Sequence, residues 1–365
     1  MNTPTNDRHA QAEMPLGRHC ALVQCGQNVK RGEVIATASV PGLGNIHAPF
    51  PGRILHVDPY RIRIGREAGE SVDPVSIVGL NGPDLRNRLA GLGADLPADS
   101  VVDTLVINAV DAEPSLVGRK QLLSGHAETL QAGIEALIRA YLPGSTILAL
   151  PAGPPHGLKG VDVAIVSDQY PAGLDPLVVK AATGEESPEH TIVVGLETVH
   201  HVGRIVETGL PVMETMVTVD GAARVIPLGT SVGSLIEKDA PLKDGDRIIL
   251  GGVLRGAAAA SPGQGVDRTT LAVAVVANPG PVAVDAPCVG CGECVRRCPA
   301  RLDPAMITGY AEFGMYDKAA AEHVEACFEC GLCGYFCIAR RPMLQYIRLA
   351  KAELARAAAP IGEEN

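Results

Sequence analysis

Eight of the ten cysteines lie between Cys288 and Cys337, in two runs that share one spacing. The first is Cys288-x-x-Cys291-x-x-Cys294-x-x-x-Cys298-Pro299 and the second Cys327-x-x-Cys330-x-x-Cys333-x-x-x-Cys337. Three thiolates at that spacing wrap one face of a [4Fe–4S] cubane, while the fourth points away and ligates the cluster of the other run. The pattern therefore predicts one cluster on Cys288, Cys291, Cys294 and Cys337, and a second on Cys327, Cys330, Cys333 and Cys298. Zinc needs four thiolates per ion and leaves the regular third and fourth cysteines of each run without a structural reason. Disulfides fit poorly with thiols packed this closely in a chain that shows no signal peptide. Gly290, Gly292, Gly331 and Gly334 let the backbone fold closely round each metal and aim amide N–H groups at the sulfurs. The second run ends Cys337-Ile338, without the proline that follows Cys298. Proline shapes the turn and ligates nothing, so its loss bears on loop geometry.

The rest of the chain is large enough to carry its own cores. With 365 residues and 46% hydrophobic content, two to four globular units are expected. A net charge of −10 and a pI near 5.5 argue against nucleic acid, since phosphate binding needs a basic face. No run of about twenty apolar residues occurs without charges, so no membrane span is expected. The polar start from Met1 to Gln11 lacks the apolar stretch of a signal peptide, which predicts a disordered beginning and a cytoplasmic protein. Any membrane attachment then comes through a partner subunit. Aromatic content of 3%, with no Trp, disfavours stacking-based nucleotide or sugar recognition.

From Cys20 to Gly65, short alternating stretches broken by Gly and Pro predict a small sandwich or barrel, as in Val29–Ala36 and Ile46–Ile54. This stretch resembles the biotinyl/lipoyl type of barrel-sandwich module. It has no lysine at a Met-Lys hairpin tip, so no lipoyl or biotinyl group is expected and the module reads as a docking scaffold. Cys20 and Cys25 lie near His47 and His56; small core thiols and surface imidazoles are the simpler reading than a metal site.

From Val101 the pattern is α/β. Strands are predicted at Val101–Val110, Thr146–Leu150, Val161–Val166 and Thr191–Val194, with helices through Leu130, Ile134, Leu137 and Ile138, then at 177–182 and 197–208. The strands run into Asp111-Ala112-Glu113-Pro114, Pro151-Ala152-Gly153-Pro154-Pro155 and Ser167-Asp168-Gln169-Tyr170-Pro171. Those turns mark the C-terminal edge of a parallel sheet, where such folds bind nucleotides and flavins. His200 and His201 are adjacent on one helix and face different directions, so each reads as a surface or satisfied imidazole.

A hairpin at Val217–Gly221 and Arg224–Thr230, a short helix at Val232–Ile236 and strands at 247–250 and 271–276 predict a β-grasp unit. Ala257–Val266 reads as a linker, and Asn278-Pro279-Gly280-Pro281 as a boundary. Beyond it, helices at 304–312, 318–324 and 343–358 surround the cysteine runs, the last with Leu344, Ile347, Ala350 and Leu354 on one side and Arg348, Glu353 and Arg356 on the other.

The expected fold class is thus a multidomain α/β protein. It comprises an N-terminal barrel-sandwich hybrid at 15–75, a Rossmann-like α/β domain at 80–212, a β-grasp unit at 213–278 and a C-terminal helical ferredoxin-like domain with two [4Fe–4S] clusters at 284–358. That order resembles the C subunit of Rnf-type electron transport complexes. The resemblance is carried by Gly26–Gly32 with Ile46–Gly52, Ile107–Pro114, Tyr170-Pro171 with Gly173, Gly229-Thr230, Gly251-Gly252, both cysteine runs and Leu344–Lys351.

The resemblance implies a β-grasp unit of the SLBB type and an α/β domain similar to the NADH-binding flavoprotein subunit of respiratory complex I. It implies FMN and NADH as cofactors, hydride transfer to the flavin, single electrons passed to the clusters, and other redox-complex subunits as partners. The family's flavin loop has the form Gly-x-Gly-Gly-Ala-Gly-Phe-Pro-Thr. Its counterpart is Gly91-Leu92-Gly93-Ala94-Asp95-Leu96-Pro97, which is shorter and lacks two glycines, the Phe and the lysine expected just after. Asp95 stands where a phosphate would approach, a repulsion of roughly a kcal/mol or more. Gly91, Gly93 and Glu113, the last in the retained Asp-Ala-Glu-Pro turn, are the residues the resemblance assigns to FMN and NADH. Three functions follow: an iron–sulfur electron-transfer subunit whose electrons enter from a partner, an FMN-dependent NADH dehydrogenase, and a cobalamin reductase of the same architecture. The altered loop favours the first.

Overall fold

Short, polar-flanked strands dominate the first part of the chain. β1 (Gln11–Pro15), β2 (His19–Ala21), β3 (Asn28–Val29), β4 (Val34–Ala38), β5 (Ile46–His47), β6 (Gly52–Val57) and β7 (Arg61–Arg66) form two sheets, ordered β1-β7-β6-β3 and β2-β4-β5. Alternation sets which face is buried: Ile62 and Ile64 of β7 and Ala12 and Met14 of β1 point inward, while Glu13 and Arg63 between them are only partly buried. The computed structural model describes residues 11–153, 157–236, 242–277 and 286–358. The turn at Pro154-Pro155, the boundary at 278–281 and the N-terminal disorder expected up to residue 10 lie outside those residues. Gln11 already begins β1, so ordered structure starts earlier than the cysteines of this region suggest.

After α1 (Gly82–Gly91) come β8 (Thr104–Asn108), α2 (Gly118–Gly125), α3 (Ala127–Tyr141), β9 (Ser145–Pro151), β10 (Asp162–Val166), α4 (Asp175–Thr183), β11 (Thr191–Gly195) and α5 (Leu196–Thr208). The four strands make one parallel sheet, β10-β9-β8-β11. Central β8 is buried through Leu105, Val106, Ile107 and Asn108, as a strand covered on both faces must be. α3 and α5 cross closely because glycines meet backbone there. A Cβ at Gly203 would lie 1.9 Å from the Thr129 carbonyl oxygen, and one at Gly133 2.1 Å from that of Val199. The predicted strand at 101–110 is therefore shorter at both ends, and α2 is an addition.

The third part is a mixed sheet, β13-β12-β16-β14-β15, built from β12 (Glu214–Val219), β13 (Ala222–Pro227), β14 (Arg247–Leu250), β15 (Ala257–Ala258) and β16 (Ala272–Val276), with α6 (Val232–Ile236) after the hairpin. β12 and β16 pair in parallel at its centre. The expected linker at 257–266 instead contributes β15 and a bridge from Gly265 to Ser231.

Residues up to Gly252 together with Ala257–Val276 form one unit, and Val253–Gly256 with Ala277 onward form another. The second unit holds α7 (Glu293–Arg296), α8 (Pro304–Glu312), α9 (Tyr316–Ala321), a 3-10 turn at Val324–Ala326, α10 (Leu332–Tyr335) and α11 (Met343–Ala358). Asp303 caps α8, its carboxylate accepting from the Ala305 and Met306 amides at 3.0 Å each. α9 begins and ends earlier than the predicted helix at 318–324. α11 buries Met343, Ile347 and Ala350 against Ile307, Ala311, Ala319 and Val324. No helix among the described residues is long and apolar enough to cross a membrane.

Two imidazoles, His47 and His200, depart from expectation, whereas His201 is a satisfied imidazole as expected. His47, His200 and His201 are all buried, because each element carrying one packs its apolar neighbours inward. Cys20 and Cys25 are exposed, not core residues. His201 Nε2 lies 3.1 Å from Thr215 Oγ1, whereas neither ring nitrogen of His200 has a hydrogen-bond partner; His126 stacks edge-on against it at 4.9 Å. Burial drives all three well below the usual imidazole range, to about 4 for His47, about 3 for His200 and about 4 for His201. Histidines held neutral in the fold but protonated when unfolded contribute stability above the unfolded value near 6.5 and lose it as pH falls. The first unit should therefore weaken between about pH 6.5 and pH 4, by about 1.4 kcal/mol per pH unit for each such histidine. Denaturant midpoints measured across that range check this, and replacing His200 with Leu should flatten the slope.

Candidate functional site

Both cysteine runs fold the same way. Each places two cysteines in a loop and the third in the one-turn helix that follows, α7 or α10, with the fourth cysteine just beyond it. Gly292 and Gly331 take the same left-handed conformation (φ 70° and 75°) before those helices, and a Cβ at Gly331 would lie 2.3 Å from the Leu254 carbonyl oxygen. Gly290 of the first run corresponds to Glu329 of the second. Both have positive φ, and each donates its N–H at 3.4 Å to a sulfur, Cys288 and Cys327 respectively. Past the fourth cysteine, Arg301 and Arg340 again match (φ 58° and 51°), each donating its amide to the carbonyl of that cysteine, at 3.2 and 3.0 Å. The turn is thus kept with Pro299 and with Ile338 alike.

The two runs interleave. A cavity of about 220 Å³ is lined by Cys288, Cys291, Cys294 and Cys337, that is, three cysteines of the first run and the last of the second. Burial raises the Cys327 and Cys330 thiols, and the neighbouring Cys298 adds to the rise at both. Burial likewise pushes Cys333 up to about 12. As free thiols these groups are protonated at neutral pH, so iron ligation must displace protons. The thiols of Cys288, Cys291, Cys294 and Cys337 line one cavity whose donor set fits a cubane, and in both runs amides point at sulfurs, including Leu302 N–H to Cys298 Sγ at 3.4 Å.

Around the second run the protein supplies charge that sequence reading missed. The Glu329 carboxylate accepts from Arg348 Nε at 2.8 Å and Lys351 Nζ at 3.1 Å, while Lys351 also donates to the Cys327 carbonyl at 2.8 Å. Arg255 Nε donates to the Glu329 carbonyl at 3.2 Å and Arg348 to the Arg255 carbonyl at 2.6 Å. Arg348, on the charged side of α11, is half-buried in this network. The signal lay in the spacing and not in composition: Arg348 and Lys351 are three apart, so they share a face of α11.

In the first unit, the turns at the C-terminal edge of the parallel sheet enclose a cavity of about 440 Å³. Its lining includes Asp111, Glu113, Lys120, Leu150, Asp168 and Tyr170. Buried Asn108 ties these turns together: its Nδ2 donates to the Gly173 carbonyl (2.9 Å) and to Asp175 Oδ1 (2.7 Å), and its Oδ1 accepts from the Val110 amide (3.0 Å). Arg119 holds the neighbouring turn, donating to both Glu197 oxygens at 2.9 and 2.8 Å and to the Val110 carbonyl at 2.9 Å. Asp111 accepts from the first-turn amides of α2 at Arg119 and Lys120, and burial raises it above the usual carboxylate range. The Glu113 carboxylate packs on Gly252, where a Cβ would lie 2.3 Å away.

Gly91 and Gly93 are not part of that lining. Gly93 is left-handed (φ 95°), and a Cβ there would lie 3.1 Å from the Asn45 carbonyl oxygen and 3.3 Å from His47 Nδ1. Asp95 accepts from the Gly44 amide at 2.9 Å and from Arg268 at 2.9 and 3.1 Å. Arg268 also donates to the Asn45 and Gly44 carbonyls, at 2.7 and 2.8 Å. The stretch aligned with a phosphate cradle thus packs against the N-terminal sheets and an ion pair. With Asp95 held there, that stretch does not fit an FMN phosphate.

Residues 281–338 match the 4Fe-4S dicluster domain family. The chain is 27% identical to the C subunit of the ion-translocating oxidoreductase complex of Rhodobacter capsulatus, over 95% of this chain and 78% of that protein. It is 24% identical to the C subunit of the proton-translocating ferredoxin:NAD(+) oxidoreductase complex of Clostridium ljungdahlii, over 91% and 84%. Among solved structures, a crystal structure of an NAD+-reducing [NiFe]-hydrogenase superposes with a TM-score of 0.47 at 15% identity, covering 78% of this chain and 67% of that one. Over nearly all its length, then, the chain is similar to the C subunits of ion-translocating oxidoreductase complexes, and residues 281–338 match a 4Fe–4S dicluster domain.

Proposed function

We propose that this chain is the iron–sulfur electron-transfer subunit of an Rnf-like redox complex, carrying electrons one at a time through two [4Fe–4S] clusters. The convergence of Cys288, Cys291, Cys294 and Cys337 on one cavity is the observation that carries this reading. When bound, each cluster supplies a one-electron site whose potential is set by net charge, hydrogen bonds to sulfur and exposure. The chain's part is to fix the distance between the two, since Cys298 and Cys337 each bridge from one run to the other. It also sets their potentials, through the N–H donors to sulfur and the cations round Glu329.

In the same reading the two-sheet unit (15–75) is a barrel-sandwich module that docks partners, and the α/β part (80–212) is a scaffold of complex-I flavoprotein type. The mixed sheet (213–278) is an SLBB-like β-grasp unit, and 284–358 is the two-cluster domain. The parallel pairing of β12 with β16 at the centre of the mixed sheet supports the β-grasp assignment. Its partners are other subunits of the complex, at the cytoplasmic face of a membrane.

A second reading, an FMN-dependent NADH dehydrogenase, is favoured by the cavity at the sheet edge with Glu113 in its lining, and opposed by the Asp95–Arg268 pair. Anaerobic addition of NADH to the reconstituted chain, with dithionite as control, separates the two. The electron-transfer reading expects dithionite to bleach the cluster absorbance and NADH to leave it unchanged. Bleaching by NADH would establish the dehydrogenase.

A further inference from the structure

Because the two cysteine runs fold alike, the side chains in which they differ show how each site is tuned. Gly290 of the first run and Glu329 of the second hold the same left-handed place, at φ 69° and 53°. Glycine takes that conformation freely and a glutamate is strained by it, so its surroundings must hold Glu329 there. Two cations do so, Arg348 Nε at 2.8 Å and Lys351 Nζ at 3.1 Å from its carboxylate. Lys351 also donates to the Cys327 carbonyl at 2.8 Å, which sets its ammonium on the loop of the second-run cysteines. Arg255 adds a third cation, on the Glu329 carbonyl at 3.2 Å. Three cations thus gather round one carboxylate, and the excess beside Cys327 is positive.

The first run is arranged otherwise. Asp303 and Arg341 line its cavity, and Arg341 is paired with Glu312, which leaves the Asp303 carboxylate, held by two amides of α8. The first run's counterpart to Lys351 is Arg296, which donates to the Cys291 carbonyl at 3.3 Å. Arg296 is shared with Glu293, and its side chain is 64% exposed against 20% for Lys351. Water and salt screen an exposed charge far more than a half-buried one, so Lys351 is the cation with the stronger hold on its site.

We propose that Lys351 is a positioning residue that fixes the order in which the clusters fill, placing the first electron on the cluster of Cys327, Cys330, Cys333 and Cys298. The proposal rests on the electron-transfer reading above and deepens it. A low-potential donor gives up one electron and the cluster gains it, so one negative charge is added and no bond forms or breaks. A cation held on the ligand loop favours that reduced form. Burial of Cys330 and Cys333 disfavours it, so the ammonium is what tips the order.

The test is a potentiometric titration of the full chain, reconstituted anaerobically, with dithionite as reductant and electron paramagnetic resonance as readout. The native chain holding one electron should show the spectrum of the second-run cluster, identified from Cys298→Ala and Cys337→Ala, each with one cluster left. Lys351→Met should weaken reduction of that cluster about tenfold, a fall of about 59 mV for one electron, and leave the other midpoint unmoved. Lys351→Arg, which keeps the charge, should restore it. Glu329→Gln removes the carboxylate and should move the same midpoint up, a sign that a merely structural role would not produce. If Lys351→Met takes up too little iron to titrate, the Glu329→Gln shift decides. An unmoved midpoint, a fall in the Met and Gln variants alike, or a first electron on the Cys288 cluster of the native chain overturns the role of Lys351, even where dithionite reduces both clusters. A chain that dithionite cannot reduce overturns the electron-transfer reading itself.

Discussion

Replacing Cys298 with alanine is expected to abolish the cluster on Cys327, Cys330 and Cys333 while sparing the one on Cys288, Cys291, Cys294 and Cys337. Counted along the chain, Cys298 belongs to the first run, so a local reading predicts the opposite. The geometry favours the crossed assignment, because the cavity that gathers the first three cysteines includes Cys337 and not Cys298. Iron should fall from about eight to about four atoms per chain, with the reduced spectrum simplified to that of one isolated cluster. The reciprocal variant, Cys337→Ala, should lose the other cluster. Loss of the first-run cluster in Cys298→Ala would show that each run holds its own metal.

The second large effect concerns Arg268. Its side chain is 7% exposed and donates to both oxygens of Asp95 and to two carbonyls in the turn before β5. Arg268→Met leaves Asp95 with only the Gly44 amide and both carbonyls without their arginine donor, and truncating one partner of a buried pair costs about 3–5 kcal/mol. The loss should appear as a lower denaturant midpoint for the first unit. Adding Asp95→Asn should return part of it, because the remaining charge is removed as well. A change below about 1 kcal/mol in the single variant would mean that the pair is solvated and not structural.

What the sequence revealed divides by the range of the interactions concerned. The cysteine runs were legible because metal ligation imposes a local spacing, and central β8 because burial on both faces leaves a continuous apolar run. The hairpin of β12 and β13 was legible in its turn, Asp220-Gly221. The Asp95–Arg268 pair was not: its partners stand 173 residues apart, and neither sits in a periodic pattern. The same holds for Arg119 with Glu197, 78 residues apart, and for Glu329 with Arg348 and Lys351. His200 was misread because adjacency on a helix says which way two rings diverge but not which faces of α5 are covered, and here α3 and β12 cover both. β15, two residues long, has no propensity signal and is held only by pairing with β14.

The most direct test of the central claim is iron analysis with electron paramagnetic resonance on the reconstituted, dithionite-reduced native chain. Two [4Fe–4S] clusters held at a fixed separation by Cys298 and Cys337 predict about eight irons and a spectrum broadened by spin coupling between neighbours. Bound zinc with no reducible centre, or a single uncoupled cluster, would contradict it.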